Sequence, residues 1–302
     1  MIKNAGPSKL RGLALLLLAV TLILPARAAA QPEKLLIGLI PEINIFKQKQ
    51  RFNSLGAYLS EKTGLQVQFT ILSRYGNIID SFTSERMDGA FFGSFTGAMA
   101  IRKLGVIPLA RPVNPDGSST YHGLLLVRKS DKIDSVADVA GKRMAFVDKA
   151  TTAGFIFPLA YLRDSGISSE ADYFGEYFFT GSHDAAIIAL LDGRADIAAV
   201  KHSVYNRLNR ENPRVGEELK VIAKSSNVPS NGLCVRPTLA EHIRAKLQKA
   251  LLDLESAPEG QEVLRMFGAL RFLKTTAADY QPVFEMAEKA GIDIGNYDYL
   301  NK

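Results

Sequence analysis

Three junctions, at each of which an apolar segment gives way to a helix-like segment, carry side chains suited to binding a small anion. They are Phe91–Gly97, Asp148–Phe155 and Gly181–Asp184. Unpaired N–H groups and the helix dipole favour negative charge at the start of a helix, and open α/β sheets bind ligands at the carboxyl ends of their strands. Ser, Thr and Asp at these positions are also ordinary helix caps, each worth about 1 kcal/mol. The junctions therefore predict an anion site only if the fold brings them together.

The candidate binding groups at these junctions are hydroxyls, one imidazole and one carboxylate: Ser94, Thr151, Thr152, Ser182, His183 and Asp184. A carboxylate repels a fully ionised dianion, but it accepts a hydrogen bond from an oxyanion that keeps a proton. If Asp184 faces a ligand, it selects protonated oxyanions against sulfate; the alternative is that Asp184 only caps its helix. His183 is either an oxyanion donor or a surface or packing residue.

No catalytic constellation is present in the sequence. The four histidines lack metal-ligand spacing, and no His-Glu-x-x-His motif occurs. Gly93–Gly97 comes near a nucleophile elbow, but its serine stands one place early. The single cysteine, Cys234, lies in an apolar segment that favours a buried, inert thiol. We therefore expect no enzyme, no metal and no cofactor.

The first 30 residues have the pattern of a cleavable signal peptide. Basic residues precede an apolar run, Leu13–Leu24, and small residues follow at 26–30. The run is shorter than the roughly 20 residues of a membrane span, although an uncleaved anchor is the alternative. This segment holds four of the 37 basic residues and none of the 31 acidic ones, so the exported chain has a net charge of about +2. We expect a periplasmic protein without a nucleic-acid partner.

Apolar runs alternate with amphipathic segments, a pattern typical of an α/β protein with mainly parallel sheets. The predicted strands are Leu35–Ile40, Val67–Ile71, Asp88–Phe92, Val106–Ala110, Gly123–Val127, Arg143–Val147, Tyr173–Phe179, Asp196–Val200, Leu219–Ala223 and Gly232–Val235. The predicted helices are Lys49–Thr63, Tyr75–Ser84, Phe95–Lys103, Phe155–Ser165, Asp184–Asp192, Val204–Arg210 and Glu241–Glu255, with helices and loops from Pro258 onward.

Two strand-like segments about a hundred residues apart, Tyr121–Lys129 and Asn231–Pro237, indicate a chain that leaves one lobe and later returns to it. We predict a first lobe from residues 31–124 and 231–302, and a second lobe from residues 125–230. Clefts between domains are common places for small ligands.

The chain resembles the PhnD-like family of phosphate, phosphite and phosphonate-binding proteins, which are substrate-binding components of ABC importers. The resemblance runs from Ile37–Glu42 to the return strand. It is most specific over Gly123–Val127, Ser135–Lys142, Ala145–Asp148, Thr151–Gly154 and Phe179–Ala186, followed by Gly193–Val200. It implies the two-lobed type II periplasmic binding fold, two crossing strands between the lobes, and no catalysis.

The resemblance also assigns binding roles to individual positions. A hydroxyl loop at a helix start is matched by Thr151, Thr152 and Ala153, and a His-acid pair is matched by His183 and Asp184. In the first lobe, Tyr75 matches an aromatic hydroxyl, whereas Phe92 stands where some members carry Tyr. Ala153 and Phe92 each lack a hydroxyl of the family pattern. The ligand is then either a variant oxyanion or an organic phosphonate whose tail rests on Phe92. Lys201 either adds a compensating charge or is a solvated surface lysine.

The resemblance implies a small oxyanion ligand and an inner-membrane ABC permease as partner, with the binding protein acting as a monomer. One alternative is a sensor that presents the oxyanion to a membrane histidine kinase. Another is an enzyme on the same scaffold, which the missing nucleophile, metal cluster and cofactor loop disfavour.

Overall fold

The computed structural model describes residues 33–301, so the predicted signal peptide lies outside the described residues. The strands are β1 (Lys34–Leu39), β2 (Gln66–Ile71), β3 (Gly89–Phe92), β4 (Ile107–Val113), β5 (Thr120–Tyr121), β6 (Gly123–Arg128), β7 (Arg143–Phe146), β8 (Glu176–Phe179), β9 (Ile197–Lys201), β10 (Leu219–Lys224), β11 (Val228–Pro229), β12 (Gly232–Val235) and β13 (Arg271–Lys274).

The α-helices are α1 (Ile45–Thr63), α2 (Asn77–Ser84), α3 (Ser94–Leu104), α4 (Phe157–Asp164), α5 (Glu170–Tyr173), α6 (His183–Leu191), α7 (His202–Glu211), α8 (Arg214–Glu218), α9 (Glu241–Leu252), α10 (Gly260–Phe267) and α11 (Gln281–Lys289). A π-helical turn, Thr152–Ile156, precedes α4, and short 3₁₀ turns lie at Val136–Val139, Asp253–Glu255 and Ala277–Tyr280. Among the described helices, none combines the length and the apolar character needed to cross a membrane.

Two separate sheets form the centres of two lobes. The first has the strand order β13-β4-β12-β3-β1-β2, and the second has the order β10-β6-β9-β7-β8. Strands of the first sheet come from residues 34–113 and 232–274, and strands of the second come from residues 123–224. The lobe boundaries set at residues 124/125 and 230/231 stay a prediction.

The prediction of mainly parallel sheets is wrong. Parallel pairing joins β1 to β2 and β3, and β7 to β8 and β9. The other strand pairs in the two sheets are antiparallel. Strands that are joined through a helix within one lobe run in the same direction. β6 and β12 instead enter their sheets after the chain has crossed between the lobes, and they run antiparallel to their neighbours.

The connection between the lobes is a small antiparallel ribbon, which we call the hinge ribbon. β5 pairs with β11, with Tyr121 opposite Val228 and Thr120 opposite Pro229. The crossing segments therefore begin just ahead of the longer strands β6 and β12, which lie inside the second and first sheets. Two-residue strands are too short to show a period in the sequence, so this ribbon was not predicted as a separate element.

The first sheet is covered by helices on both faces. Phe91 of β3 packs edge-on against Phe52 of α1, with ring centroids 5.1 Å apart, and Phe52 also contacts Phe267 of α10. Phe92, the next residue, points to the opposite face and packs against Phe82 of α2. This alternation places one face in contact with α1, α9 and α10 and the other with α2 and α3.

The ten predicted strands and seven predicted helices are found, with bounds that shift by a few residues. Exceptions include Tyr173, which closes α5 and does not begin β8, and β13, which lies where helices and loops were expected. Cys234 is buried in β12, and burial raises the pKa of its thiol to about 12, as expected for an inert cysteine.

Candidate functional site

A cavity of about 10 Å³ lies where the starts of α3, the π-helical turn and α6 meet between the two lobes. We call it the inner cavity. Its lining residues are Ile40, Glu42, Tyr75, Gly93, Ser94, Phe95, Tyr121, Ala150, Thr151, Thr152, His183, Lys201 and Asn231. The three junctions singled out in the sequence therefore converge. Of the ten predicted site residues, six line this cavity: Tyr75, Ser94, Thr151, Thr152, His183 and Lys201.

The turn after β7 presents one free hydroxyl. Asp148 Oδ1 accepts from Ala150 N at 2.8 Å, and Thr151 Oγ1 donates to Asp148 O at 2.6 Å. Thr152 Oγ1 is buried, and although it lies close enough to interact with the Tyr121 phenol, it makes no hydrogen bond. The Thr151 hydroxyl thus shapes the turn, whereas the Thr152 hydroxyl is available to a ligand.

A second buried hydroxyl without a hydrogen-bond partner comes from the first lobe. Tyr75 lies between β2 and α2, and its OH has no partner. Its ring meets His183 edge-on, with centroids 6.3 Å apart. Burial raises the pKa of Tyr75 well above its ordinary value, so the phenol stays protonated and can donate. A buried polar group costs about 1–3 kcal/mol when it is unsatisfied, so two together point to a ligand.

His183 is fixed in one neutral tautomer. Its Nδ1 accepts from the backbone N–H of Lys201 at 3.2 Å. A neutral imidazole whose Nδ1 is an acceptor carries its hydrogen on Nε2. Burial lowers the pKa of His183 to about 3, and the nearby Lys201 charge acts in the same direction. His183 is therefore an uncharged N–H donor at neutral pH.

Ser94 links the site to the hinge ribbon. Its Oγ is hydrogen-bonded to Tyr121 OH at 2.7 Å and to Pro229 O at 2.8 Å. Tyr121 belongs to β5 and Pro229 to β11, so the start of α3 is tied to both strands of the ribbon.

A buried ion pair crosses the cleft beside the inner cavity. Lys201 Nζ, at the end of β9, lies 2.5 Å from Glu42 Oε1, in the loop after β1, and 3.2 Å from Asn231 Oδ1. The Lys201 ammonium also lies 4.3 Å from the Tyr121 ring centroid. Burial alone would raise the pKa of Glu42, but the charges of Lys201 and Arg51 outweigh it and hold this pKa at about 2. Lys201 is not the solvated lysine of the alternative prediction, because its side chain is only 9% exposed.

Phe92 and Ala153 were expected to weaken the site, but neither lines it. Phe92 is fully buried against Phe82, on the side of the first sheet that faces α2. Ala153 is buried, and its Cα packs close to Gly123 of β6. In both cases the side chain points into the hydrophobic core. These two positions therefore give no reason to expect a hydroxyl to be missing from the inner cavity, or a ligand tail to rest on Phe92.

Ser182 and Asp184 act at the start of α6 and do not line the inner cavity. Ser182 Oγ accepts from Ala185 N at 3.4 Å, and Asp184 Oδ1 is bonded to Ser182 Oγ and accepts from Ala185 N at 3.0 Å. This geometry is the helix-cap alternative, in which both side chains turn back to the backbone.

The sequence interpretation missed three polar lining residues: Glu42, Tyr121 and Asn231. Glu42 follows the carboxyl end of β1, which is the position where open α/β sheets place ligand groups. Tyr121 and Asn231 could have been found from the two predicted crossing segments, because a ligand held between the lobes also lies next to the segments that join them. Within the described residues, no group of three or more His, Cys, Asp or Glu side chains could hold a metal ion.

The two sheets, the hinge ribbon and the cavity between the lobes define a type II periplasmic binding protein. A family model described as "ABC transporter, phosphonate, periplasmic substrate-binding protein" matches residues 37–280. The chain belongs to this family of periplasmic transport proteins.

Individual relatives agree with this placement. The phosphonates-binding periplasmic protein of Escherichia coli is 25% identical over 271 residues, which cover 88% of this chain and 80% of the relative. The phosphate-import protein PhnD of Mycolicibacterium smegmatis is 27% identical over 227 residues, 72% of this chain and 70% of the relative. The solved structure of PhnD1 from Prochlorococcus marinus with methylphosphonate has a TM-score of 0.76 and 23% identity, and the match covers 86% of this chain and 99% of that one.

Proposed function

We propose that this protein captures a small phosphorus oxyanion, either a phosphonate, phosphite or phosphate, in the inner cavity and delivers it to an ABC permease. The observation that carries the proposal is the pair of buried hydroxyls without partners, Tyr75 OH and Thr152 Oγ1, beside three helix starts. Hydroxyl donors, helix N-termini and a neutral His183 N–H suit an anion. The relatives named for phosphonate and phosphate support this ligand class.

The carboxylate that selects a protonated oxyanion is, on this proposal, Glu42. Asp184 was the sequence-based candidate, but its carboxylate is engaged at the start of α6. Glu42 lines the inner cavity and stays ionised, since its pKa is held at about 2. A P–OH group can donate to this carboxylate, whereas sulfate has no proton to donate near neutral pH.

Capture requires the two lobes to separate. The inner cavity, at about 10 Å³, is close to the space of a single water molecule. The Lys201–Glu42 pair and the Lys47–Glu211 pair both span the two lobes. An oxyanion that contacts both lobes binds the closed form better than the open form, and so it shifts the population toward closure.

The partner that this proposal assigns is the inner-membrane permease, because the matching family description names an ABC transporter. A histidine kinase would receive the same closed form. We propose that the protein acts as a monomer, because one chain supplies both lobes and the ribbon that joins them.

The decisive test is calorimetric titration of the purified protein with phosphate, phosphite, methylphosphonate and sulfate. At least one phosphorus oxyanion should bind with a Kd below about 10 μM, and sulfate should bind roughly a hundredfold more weakly, a difference of about 2.7 kcal/mol. Glu42→Gln should reduce the ratio of the sulfate Kd to the Kd of that oxyanion, whereas the matched variant Asp184→Asn should leave this ratio unchanged. Absence of binding for all three phosphorus oxyanions would refute the proposed ligand class, and a changed ratio in Asp184→Asn alone would return the selecting role to Asp184.

A further inference from the structure

A second, much larger space lies next to the inner cavity and shares residues with it. This outer pocket has a volume of about 740 Å³, within the usual range for sites that hold organic ligands. Ile40, Glu42, Lys201 and Asn231 line both spaces. The Glu42–Lys201 pair therefore forms part of the wall between the inner cavity and a pocket large enough for an organic ligand.

The outer pocket is predominantly cationic. Five cationic side chains line it: Lys47, Arg51, Lys201, Arg207 and Arg210. Two carboxylates line it, Glu42 and Asp116. His202 is also present, but burial lowers its pKa to about 4, so it adds no charge at neutral pH. The excess of positive charge would favour an anionic group and disfavour an ammonium.

Both lobes contribute cations to this pocket. Arg51 lies on α1 of the first lobe, and Arg207 lies on α7 of the second, with side chains 25% and 27% exposed. They face each other across the cleft, closely enough that the Arg207 charge adds to burial in lowering the pKa of Arg51. Arg51 is paired with Glu42, whose carboxylate is shared with Lys201. Arg51 and Lys201 thus share Glu42, while Arg207 and Lys47 share Glu211, so the excess of charge around the cleft is positive.

One donor in the outer pocket has no partner. Arg51 Nε is buried and unbonded. The Arg51 guanidinium lies over the Phe267 ring, with its Cζ 4.4 Å from the ring centroid. A planar, preorganised guanidinium with a free N–H suits a carboxylate. Phe52, Phe267 and Met266 supply an apolar wall on the same side, which suits a short carbon chain.

From these features we infer that the outer pocket is a subsite for the tail of the ligand, and that it favours phosphonates whose short organic tail ends in a carboxylate over neutral tails and over ammonium tails. The inference rests on the proposed function, because it assumes that the phosphorus oxyanion occupies the inner cavity. Lys201, which lines both spaces, then contacts the oxyanion on one side and the start of the tail on the other.

The test compares ligands that differ only in the end of the tail: 3-phosphonopropionate, propylphosphonate and 3-aminopropylphosphonate, with methylphosphonate as the reference. Calorimetry at low salt should give affinities in that order, with about tenfold or more between the carboxylate and ammonium tails. A factor of about ten in Kd is expected when the charge at the end of the tail changes sign near a half-buried arginine. The difference should shrink at 0.5 M salt, because screening acts most strongly on exposed charges.

Arg207→Gln should reduce the ratio of 3-phosphonopropionate affinity to propylphosphonate affinity. Arg194→Gln is the matched control, because Arg194 is exposed and lies outside the pocket, so its ratio should equal that of the wild type. Equal affinity for the three tails, or a preference for the ammonium tail, would overturn the inference while leaving the proposed function intact. Failure of every phosphonate, methylphosphonate included, would overturn the proposed function and this inference with it.

Discussion

The neutral imidazole of His183 makes the protein sensitive to acid. The pKa of His183 is about 3 in the folded protein, below the ordinary value of 6.5, because the ring is buried beside Lys201. Below pH 6.5 the unfolded chain therefore binds a proton that the folded chain does not, so stability falls as the pH falls toward 3. One proton corresponds to about 1.4 kcal/mol per pH unit. His183→Asn, whose Oδ1 can still accept from Lys201 N, should flatten the unfolding free energy between pH 6 and 4 by up to this slope, measured by urea denaturation. The exposed His242→Asn is the control, and equal slopes for the two variants would contradict the role given to His183.

The turn that carries Thr151 and Thr152 depends on a close approach at Gly154. A Cβ on Gly154 would lie 2.5 Å from Val147 Cβ and 2.7 Å from Thr151 Oγ1. Gly154→Ala should therefore displace the turn, lower the free energy of unfolding by about 1–3 kcal/mol, and weaken oxyanion binding at least tenfold in calorimetry. Gly295→Ala, at an exposed position, should change neither quantity. Loss of stability with wild-type affinity would show that this turn does not hold the ligand.

The segment Tyr299–Asn301 contacts both lobes. Tyr299 OH donates to Asp80 on α2 at 2.7 Å, and Asn301 Nδ2 donates to Asp148 after β7 at 3.0 Å. Removing residues 299–302 should favour the open form, because hydrogen bonds that span the lobes are lost. We expect ligand release to quicken several-fold in stopped-flow measurements, with a loss of about 1–2 kcal/mol in stability. Tyr299→Phe removes only the contact with Asp80 and should give a smaller effect of the same sign. An unchanged release rate in the truncated protein would exclude a role for this segment in closure.

The local elements and the junctions between them could be predicted from short stretches of sequence. Apolar runs such as Gly232–Val235 are strands in the structure, and the hydroxyls of Thr152 and Ser94 lie at helix starts, as their spacing indicates. These features depend on side-chain periodicity and on backbone N–H groups at helix ends, which are properties of short segments. The strand-like segments Tyr121–Lys129 and Asn231–Pro237 indicated two lobes, and the resemblance to the phosphonate-binding family implied the same arrangement.

Which of these side chains meet depends on the fold of the whole chain. Asp184 turns back to cap α6, and Phe92 points into the core, although both lie at the predicted junctions. Glu42 and Lys201 are 159 positions apart and form the buried pair beside the cavity. Such a contact depends on the direction in which each strand enters its sheet and on how the two lobes close. The residues next to Glu42 or Lys201 specify neither the strand directions nor the closure of the lobes. The charged pair beside the cavity therefore depends on the fold.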